Sequence, residues 1–227
     1  MEDLLFQELQ KKNPGIRFQY VSRTEGQESF KRYGRVIDEC TAEFCTLVRE
    51  NQVMPESGSC YVPEFRAIDD SEKGVEWRET LCGQLDEQWG LCWGYNSTMT
   101  ALEWHTCNEF NIAVTPLVLI LGKREDIESD GRYDANKCEF FYLAEGTMVE
   151  TYADTLHYGP CMVSKDGFSL VVGLERGTNT DIDPALRKDG LLMAKNKWLI
   201  AHESEKALIE SGAKGLVHGP NWTVTPV

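Results

Sequence analysis

Residues 101–123 read ALEWHTCNEFNIAVTPLVLILGK. In an extended chain successive side chains point to opposite faces, so Glu103 and His105 share one side while Leu102, Trp104 and Thr106 share the other. Glu109 keeps the parity of His105 if the strand runs on. Side chains two apart on one face stand about 6–7 Å apart along a strand, close enough to converge on one point. A polar set on the inner face of a sheet is what a ligand-holding barrel needs. Further on, Thr155-Leu156-His157-Tyr158-Gly159-Pro160 supplies a second imidazole. Imidazole with carboxylate suits a borderline divalent cation such as Zn, Mn, Fe or Ni.

Outward from this stretch the chain has a consistent grammar. Strand-like segments fall at residues 98–105, 111–121, 139–143, 148–152, 159–163 and 168–174, separated by turn-forming runs such as Ser129-Asp130-Gly131, Glu145-Gly146 and Lys165-Asp166-Gly167. Short strands without an intervening helical period predict an antiparallel sandwich or barrel. Before residue 91 the pattern is mostly helical. Leu4, Leu5 and Leu9 recur at helical spacing until Pro14-Gly15, the span 36–48 is amphipathic, and Trp77, Leu81, Leu85 and Trp89 predict a helix over 72–89. Residues 18–21 and the neighbourhood of Tyr61 are strand-like. From Leu191 an apolar stretch and a short helix near 204–211 are expected to close a sheet edge or cover a barrel bottom. The expectation is a single domain over 1–227, mainly β with a helical N-terminal portion. It divides into that portion (1–90), an antiparallel β-barrel core (91–177) and a C-terminal extension (178–227).

Charge narrows the function. The 227 residues carry 23 Lys+Arg against 37 Asp+Glu, a formal net charge of -14. Nucleic acid binding needs clustered bases to release counterions, and an anionic membrane surface has the same demand, so neither is an expected partner. Small polar or anionic ligands remain, because a pocket can be locally positive on an acidic protein. The eight cysteines form no C-x-x-C pair and are expected to be buried thiols of a reducing cytoplasm. The first residues, Met1-Glu2-Asp3, have acids where a signal peptide needs bases, and no apolar run approaches the length of a membrane span.

These residues carry a resemblance to the cupin superfamily. Glu103-Trp104-His105 occupies the place of that superfamily's two flanking histidines, with Glu109 four beyond His105; Gly146 and His157 match the glycine turn and later histidine of its second segment. The first histidine is replaced by Glu103, and the spacing from Gly146 to His157 is long. Over about residues 92–177 the chain looks most like the ureidoglycolate lyase type and an uncharacterised relative of it. The resemblance implies a jelly-roll barrel with an internal pocket, commonly built as a homodimer. It also implies a divalent metal held by His105, Glu109 and His157, with Glu103 as fourth ligand or catalytic base. His105 and Tyr152 are further catalytic candidates, and Glu150, Cys107 and Asn96 are candidates for substrate binding. Glu150 and Tyr152 share one strand face, placed on the inner side. Arg23, Lys31, Arg32 and Arg35 are the expected positive groups for a substrate carboxylate.

Three functions compete. The first is a metal-dependent lyase, isomerase or epimerase acting on a small hydroxy-acid or sugar-acid. The second is a metal-free lyase using a carboxylate base, and the third a non-catalytic binder of a small sugar or acid. All use the same cavity, and the metal-dependent reading requires that His105 and His157 meet in it.

Overall fold

A computed structural model describes residues 3–227; Met1 and Glu2, the start of the segment read for a leader, lie outside the described residues. In chain order the first elements are α1 (Leu4–Lys12), β1 (Phe18–Val21), α2 (Gln27–Phe30), β2 (Gly34–Ile37), α3 (Ala42–Asn51), β3 (Ser59–Val62), α4 (Arg66–Asp69), α5 (Glu72–Thr80) and β4 (Glu87–Gly94). Then come β5 (Ala101–Trp104), β6 (Glu109–Ala113), β7 (Leu117–Lys123), β8 (Tyr133–Asp134), β9 (Glu139–Leu143), β10 (Met148–Thr151), β11 (Thr155–Leu156), β12 (Cys161–Met162) and β13 (Phe168–Glu175). The last are β14 (Leu192–Ala194), β15 (Lys197–His202), α6 (Lys206–Glu210) and β16 (Lys214–His218).

Three sheets result. The first is ordered β1-β9-β7-β11, with β12 also on β7. The second has six strands, β2-β10-β6-β13-β4-β3, and the third is ordered β14-β15-β16-β8, with β5 on β15. Alternation along the strands sets the layers. Outward-facing Phe110, Ile112, Val171 and Trp89 of the six-stranded sheet bury against Phe44, Val48, Ile68 and Trp77 of α3, α4 and α5. Its inward-facing Ala113, Val149, Leu170 and Val172 meet Leu117, Leu119 and Phe141 of the first sheet. The opposite face of the first sheet, through Val118, Ile120 and Tyr142, packs with Leu102, Trp104 and Ile200 of the third. The sheets curl into a jelly-roll-like half-barrel. Among the described residues no closed barrel forms, since the six-stranded sheet ends at β2 and β3 without further partners.

The expected closed barrel is therefore corrected to an open one, and the fold is mixed α/β. Helices are not confined to the N-terminal portion: α6 lies near the C-terminus, and short 3-10 turns occupy Arg124–Asp126, Ala135–Lys137 and Pro184–Leu186. Conversely, residues 1–90 supply β1, β2, β3 and part of β4. The helix expected over 72–89 stops at Thr80 because Gly83 and Gln84 take left-handed backbone conformations, φ 63° and 65°. Trp89 then enters a strand. The span 36–48 likewise splits into β2 and α3. Gly34 begins β2, and a Cβ there would lie 2.0 Å from the Glu150 carbonyl oxygen, so only glycine lets β2 close onto β10. The strand expected over 111–121 is interrupted at Thr115-Pro116, where proline cannot donate to a ladder. Among the described residues no helix is long and apolar enough to cross a membrane.

Candidate metal centre

Strand β5 is held antiparallel to β15 with Trp104 opposite Trp198 and Glu103 opposite Leu199. Leu102 and Trp104 are buried between the first and third sheets. Alternation therefore turns Glu103 and His105 to the other side, as their spacing predicts. After His105 the chain bends, pinned by Thr106 N–H donating to Asn196 Oδ1 at 2.9 Å. It re-enters a sheet at Glu109, opposite Thr151 of β10. His157 follows β11 and exchanges backbone hydrogen bonds with Glu103: Glu103 N to His157 O at 2.6 Å and His157 N to Glu103 O at 3.0 Å. Two segments more than 50 residues apart in sequence thus meet at one bridge.

The imidazoles of His105 and His157 stand 5.3 Å apart between ring centroids. His105 is only 1% exposed, and Glu103, Glu109 and His157 are also buried. Each histidine has its Nδ1 engaged by a backbone carbonyl, His105 with Asn196 O at 2.7 Å and His157 with Thr155 O at 3.0 Å. An Nδ1–H donating to a carbonyl leaves the lone pair of a neutral imidazole on Nε2. Both Nε2 atoms are buried without an aligned hydrogen-bond partner. They lie 3.4 Å (His105) and 3.2 Å (His157) from Glu109 Oε2. Donors sharing one ion at about 2.1 Å stand about 3.0–3.4 Å apart, so these separations are those of ligands to a common cation. Donor atoms of Glu103, His105 and His157 all lie within 4.8 Å of one another, forming a candidate two-histidine, one-carboxylate triad. The donor set, its burial and the two orphaned Nε2 atoms fit a divalent cation.

Electrostatics point the same way. Burial raises the Glu109 carboxyl, but the adjoining imidazoles outweigh it and hold the group well below the usual carboxylate range. For His157 burial opposes the charge and the Glu109 carboxylate overrides it, pushing the imidazole up to about 9. Without a cation between them, a proton is what the carboxylate draws onto that ring. Asn111 Nδ2 donates to Glu109 Oε1 at 2.8 Å and fixes which oxygen faces the histidines.

The centre opens on a cavity of about 380 Å³ lined by Glu103, Glu109 and His157 together with Tyr61, Asn179 and Lys197. Lys197, which sequence reasoning did not select, forms an ion pair with Glu103. Burial disfavours its charge, but Glu103 prevails and raises it above the ordinary lysine value. Asn196, also unselected, holds His105 through its carbonyl and Thr106 through its amide oxygen. Both belong to the β14–β15 hairpin, whose relation to β5 no local spacing encodes.

The remaining candidates separate. Asn96 lines the cavity, with Nδ2 donating to the carbonyls of Gly159 and Pro160 at 3.2 and 3.0 Å, and so supports the loop after His157. Cys107 accepts a hydrogen bond from Asn196 Nδ2 at 3.3 Å, and burial raises its thiol. Glu150 sits opposite Phe110, on the face of the six-stranded sheet away from Glu109, where it pairs with Arg35 and accepts from Asn108 Nδ2. Tyr152 is 36% exposed and does not line the cavity. The inward placement expected for these two is thus corrected: one residue of parity carries Glu150 to the opposite face. The bases expected near a substrate are also spent elsewhere, Arg23 on Asp38, Lys31 on Glu28, Arg32 on Glu125 and Asp126, and Arg35 on Glu150.

A curled, jelly-roll-like sheet system enclosing a two-histidine, one-carboxylate triad defines the class: a jelly-roll-like fold with a candidate metal centre. The chain belongs to the family described as Domain of unknown function (DUF4867), whose model matches residues 23–221. No curated protein sequence matches it. Among solved structures it is similar to oxalate decarboxylase from Bacillus subtilis, with 13% identity and a TM-score of 0.30 over 43% of this chain and 23% of that one. It is also similar to SnoN, the non-heme alpha ketoglutarate dependent epimerase from nogalamycin biosynthesis, with 12% identity and a TM-score of 0.42 over 72% and 90% of the two chains. Procruciferin, an 11S globulin from Brassica napus, matches at 6% identity and a TM-score of 0.28 over 51% and 22%. The chain spans about a quarter of the oxalate decarboxylase chain it matches. The ureidoglycolate lyase type gains no support from these matches.

Proposed function

We propose that this chain is a metal-dependent cupin-type enzyme, a lyase, isomerase or epimerase, acting on a small polar hydroxy-acid or sugar-acid. The observation that carries the reading is the pair of buried imidazoles whose Nδ1 atoms are committed to carbonyls and whose Nε2 atoms converge on carboxylates. His105, His157 and Glu109 would hold a divalent cation such as Zn, Mn, Fe or Ni, with Glu103 either its fourth donor or the catalytic base. When bound, such an ion supplies Lewis-acid polarisation of a carbonyl or hydroxyl oxygen. The other tasks fall to the chain itself. Glu103 faces the cavity and is the carboxylate placed to receive a proton from a ligand. Lys197 pairs with Glu103 and holds its carboxylate in place. Leu170 and Val172 form an apolar wall that excludes water from one side of the cavity. The resemblance to cupins makes a homodimer the expected assembly, which light scattering on the purified protein checks.

The test is metal content. Protein purified without chelators or a nickel column should carry a stoichiometric divalent ion by elemental mass spectrometry. His105→Ala should lose that ion and keep its circular dichroism spectrum. Full occupancy in the variant removes the ligand role; collapse of the fold instead assigns His105 to the core. A wild-type chain with no ion favours the carboxylate-base lyase or the non-catalytic binder.

A further inference from the structure

Lys197 is the one lysine or arginine lining the cavity among the described residues. Its ammonium carries three donors, and among the described residues Glu103 is its one ion-pair partner. The ring of Tyr158 lies 5.6 Å from Nζ and covers one side of it. The side chain rises from the first residue of β15, where Lys197 pairs with Ala194 across the β14–β15 hairpin. Among the described residues no further acceptor is paired with this ammonium, which lines the cavity.

The charge balance of the pocket decides what fills it. Around it the chain is acidic overall, with a net charge of -14, so an anion is favoured only where a local cation receives it. Asn179 adds a second requirement. Its Nδ2 donates to the Tyr61 hydroxyl at 3.1 Å, while its Oδ1 is buried and without a partner. Asn179 holds this position in a left-handed backbone conformation, φ 66°. A lone amide oxygen at the cavity wall calls for a hydroxyl donor.

We propose that Lys197 is the anion anchor of this cavity, receiving the carboxylate of a polyhydroxy monocarboxylic acid whose hydroxyl groups reach Asn179. The inference rests on the enzyme reading for the location of the chemistry, but the anchor itself requires no bound metal. It replaces the surface bases as the positive group for the substrate.

The probes are D-gluconate and its uncharged counterpart sorbitol, titrated calorimetrically into the full chain with and without Mn²⁺. Gluconate is expected to bind at least about tenfold more tightly than sorbitol, the contribution of a charge-assisted contact. Lys197→Gln should bring the two probes to parity, and Lys197→Arg should recover part of the preference. Equal binding of both probes by the wild type, no gluconate binding, or a preference that survives Lys197→Gln overturns the proposal. Should Lys197→Gln fail to fold because Glu103 is left unpaired, the pair variant Lys197→Gln with Glu103→Gln removes both charges; a gluconate preference persisting there is equally fatal. The two readings fail separately. A chain that prefers gluconate through Lys197 but takes up no Mn²⁺ keeps this inference and loses the metal reading. One that binds Mn²⁺ but does not distinguish the probes does the reverse.

Discussion

Asn111 does what no aliphatic side chain of its size can: its amide holds Glu109 Oε1, which leaves Oε2 to the two imidazoles. Outer hydrogen bonds of this kind orient a ligand and tune its basicity, and losing one typically costs 10–100-fold in metal affinity. Asn111→Leu, close in volume, should weaken divalent metal binding by about that factor in a competitive chelator titration. The fold should tolerate it, because Asn111 projects toward the apolar inner face that Val149 and Val172 also line. Unchanged metal affinity would show that Glu109 needs no such positioning. At this scale the site was readable where parity within one strand set it, as for Glu103 and His105. Lys197 and Asn196 reach the same place through a strand pairing about 90 residues distant in sequence, which periodicity does not carry. Glu150 was misplaced because β10 opposes β6 in a register that puts Thr151, not Glu150, beside Glu109.

Strands β4 and β13 run together for eight residue pairs, and at the end of that ladder Glu87 faces Glu175. Glu87 is only 3% exposed. Burial, followed by the carboxylates of Glu175, Glu109 and Glu150, pushes it up to about 8, with Arg176 opposing. A folded-state value raised above the unfolded one means that the native state prefers the protonated acid. The stabilising contribution is fully present below about 4.5 and is lost as pH rises through about 8. Glu87→Gln imitates the protonated form at every pH. Urea unfolding should therefore find it close to wild type at pH 4.5 and more stable at pH 9, by on the order of 5 kcal/mol. Parallel pH curves for the two proteins would contradict the burial argument. The same ladder shows why element boundaries were only partly legible. Segments with clear alternation and turn residues on both sides, such as β1, β9 and β13, lie where their patterns put them. Trp77, Leu81, Leu85 and Trp89 recur every fourth residue, yet Trp89 belongs to β4. The left-handed pair Gly83-Gln84 breaks the helix, and Trp89 gains burial against Phe44, Trp77 and Phe110 from its strand position.

The candidate ligands come from all three sheets: Glu103 and the adjoining His105 from the β5 end of the third, Glu109 from β6 of the second, and His157 from the residue after β11 of the first. An open half-barrel lacks the closure that would lock these sheets by hydrogen bonds alone, so a shared cation would brace them together. Binding to the folded chain stabilises it by linkage, about 2.7 kcal/mol at a hundredfold excess over Kd. For a chain of this size that corresponds to a midpoint rise of about 5–10 °C. Adding the metal identified in the purified protein should produce this rise, EDTA should reverse it, and His105→Ala should abolish it. Hydrogen exchange gives the sharper measurement, because the brace requires protection to increase together in β5, β6 and the β11 segment. Protection confined to one sheet would place the ion elsewhere, and a midpoint indifferent to metal would mean that the sheets are held by their apolar layers alone.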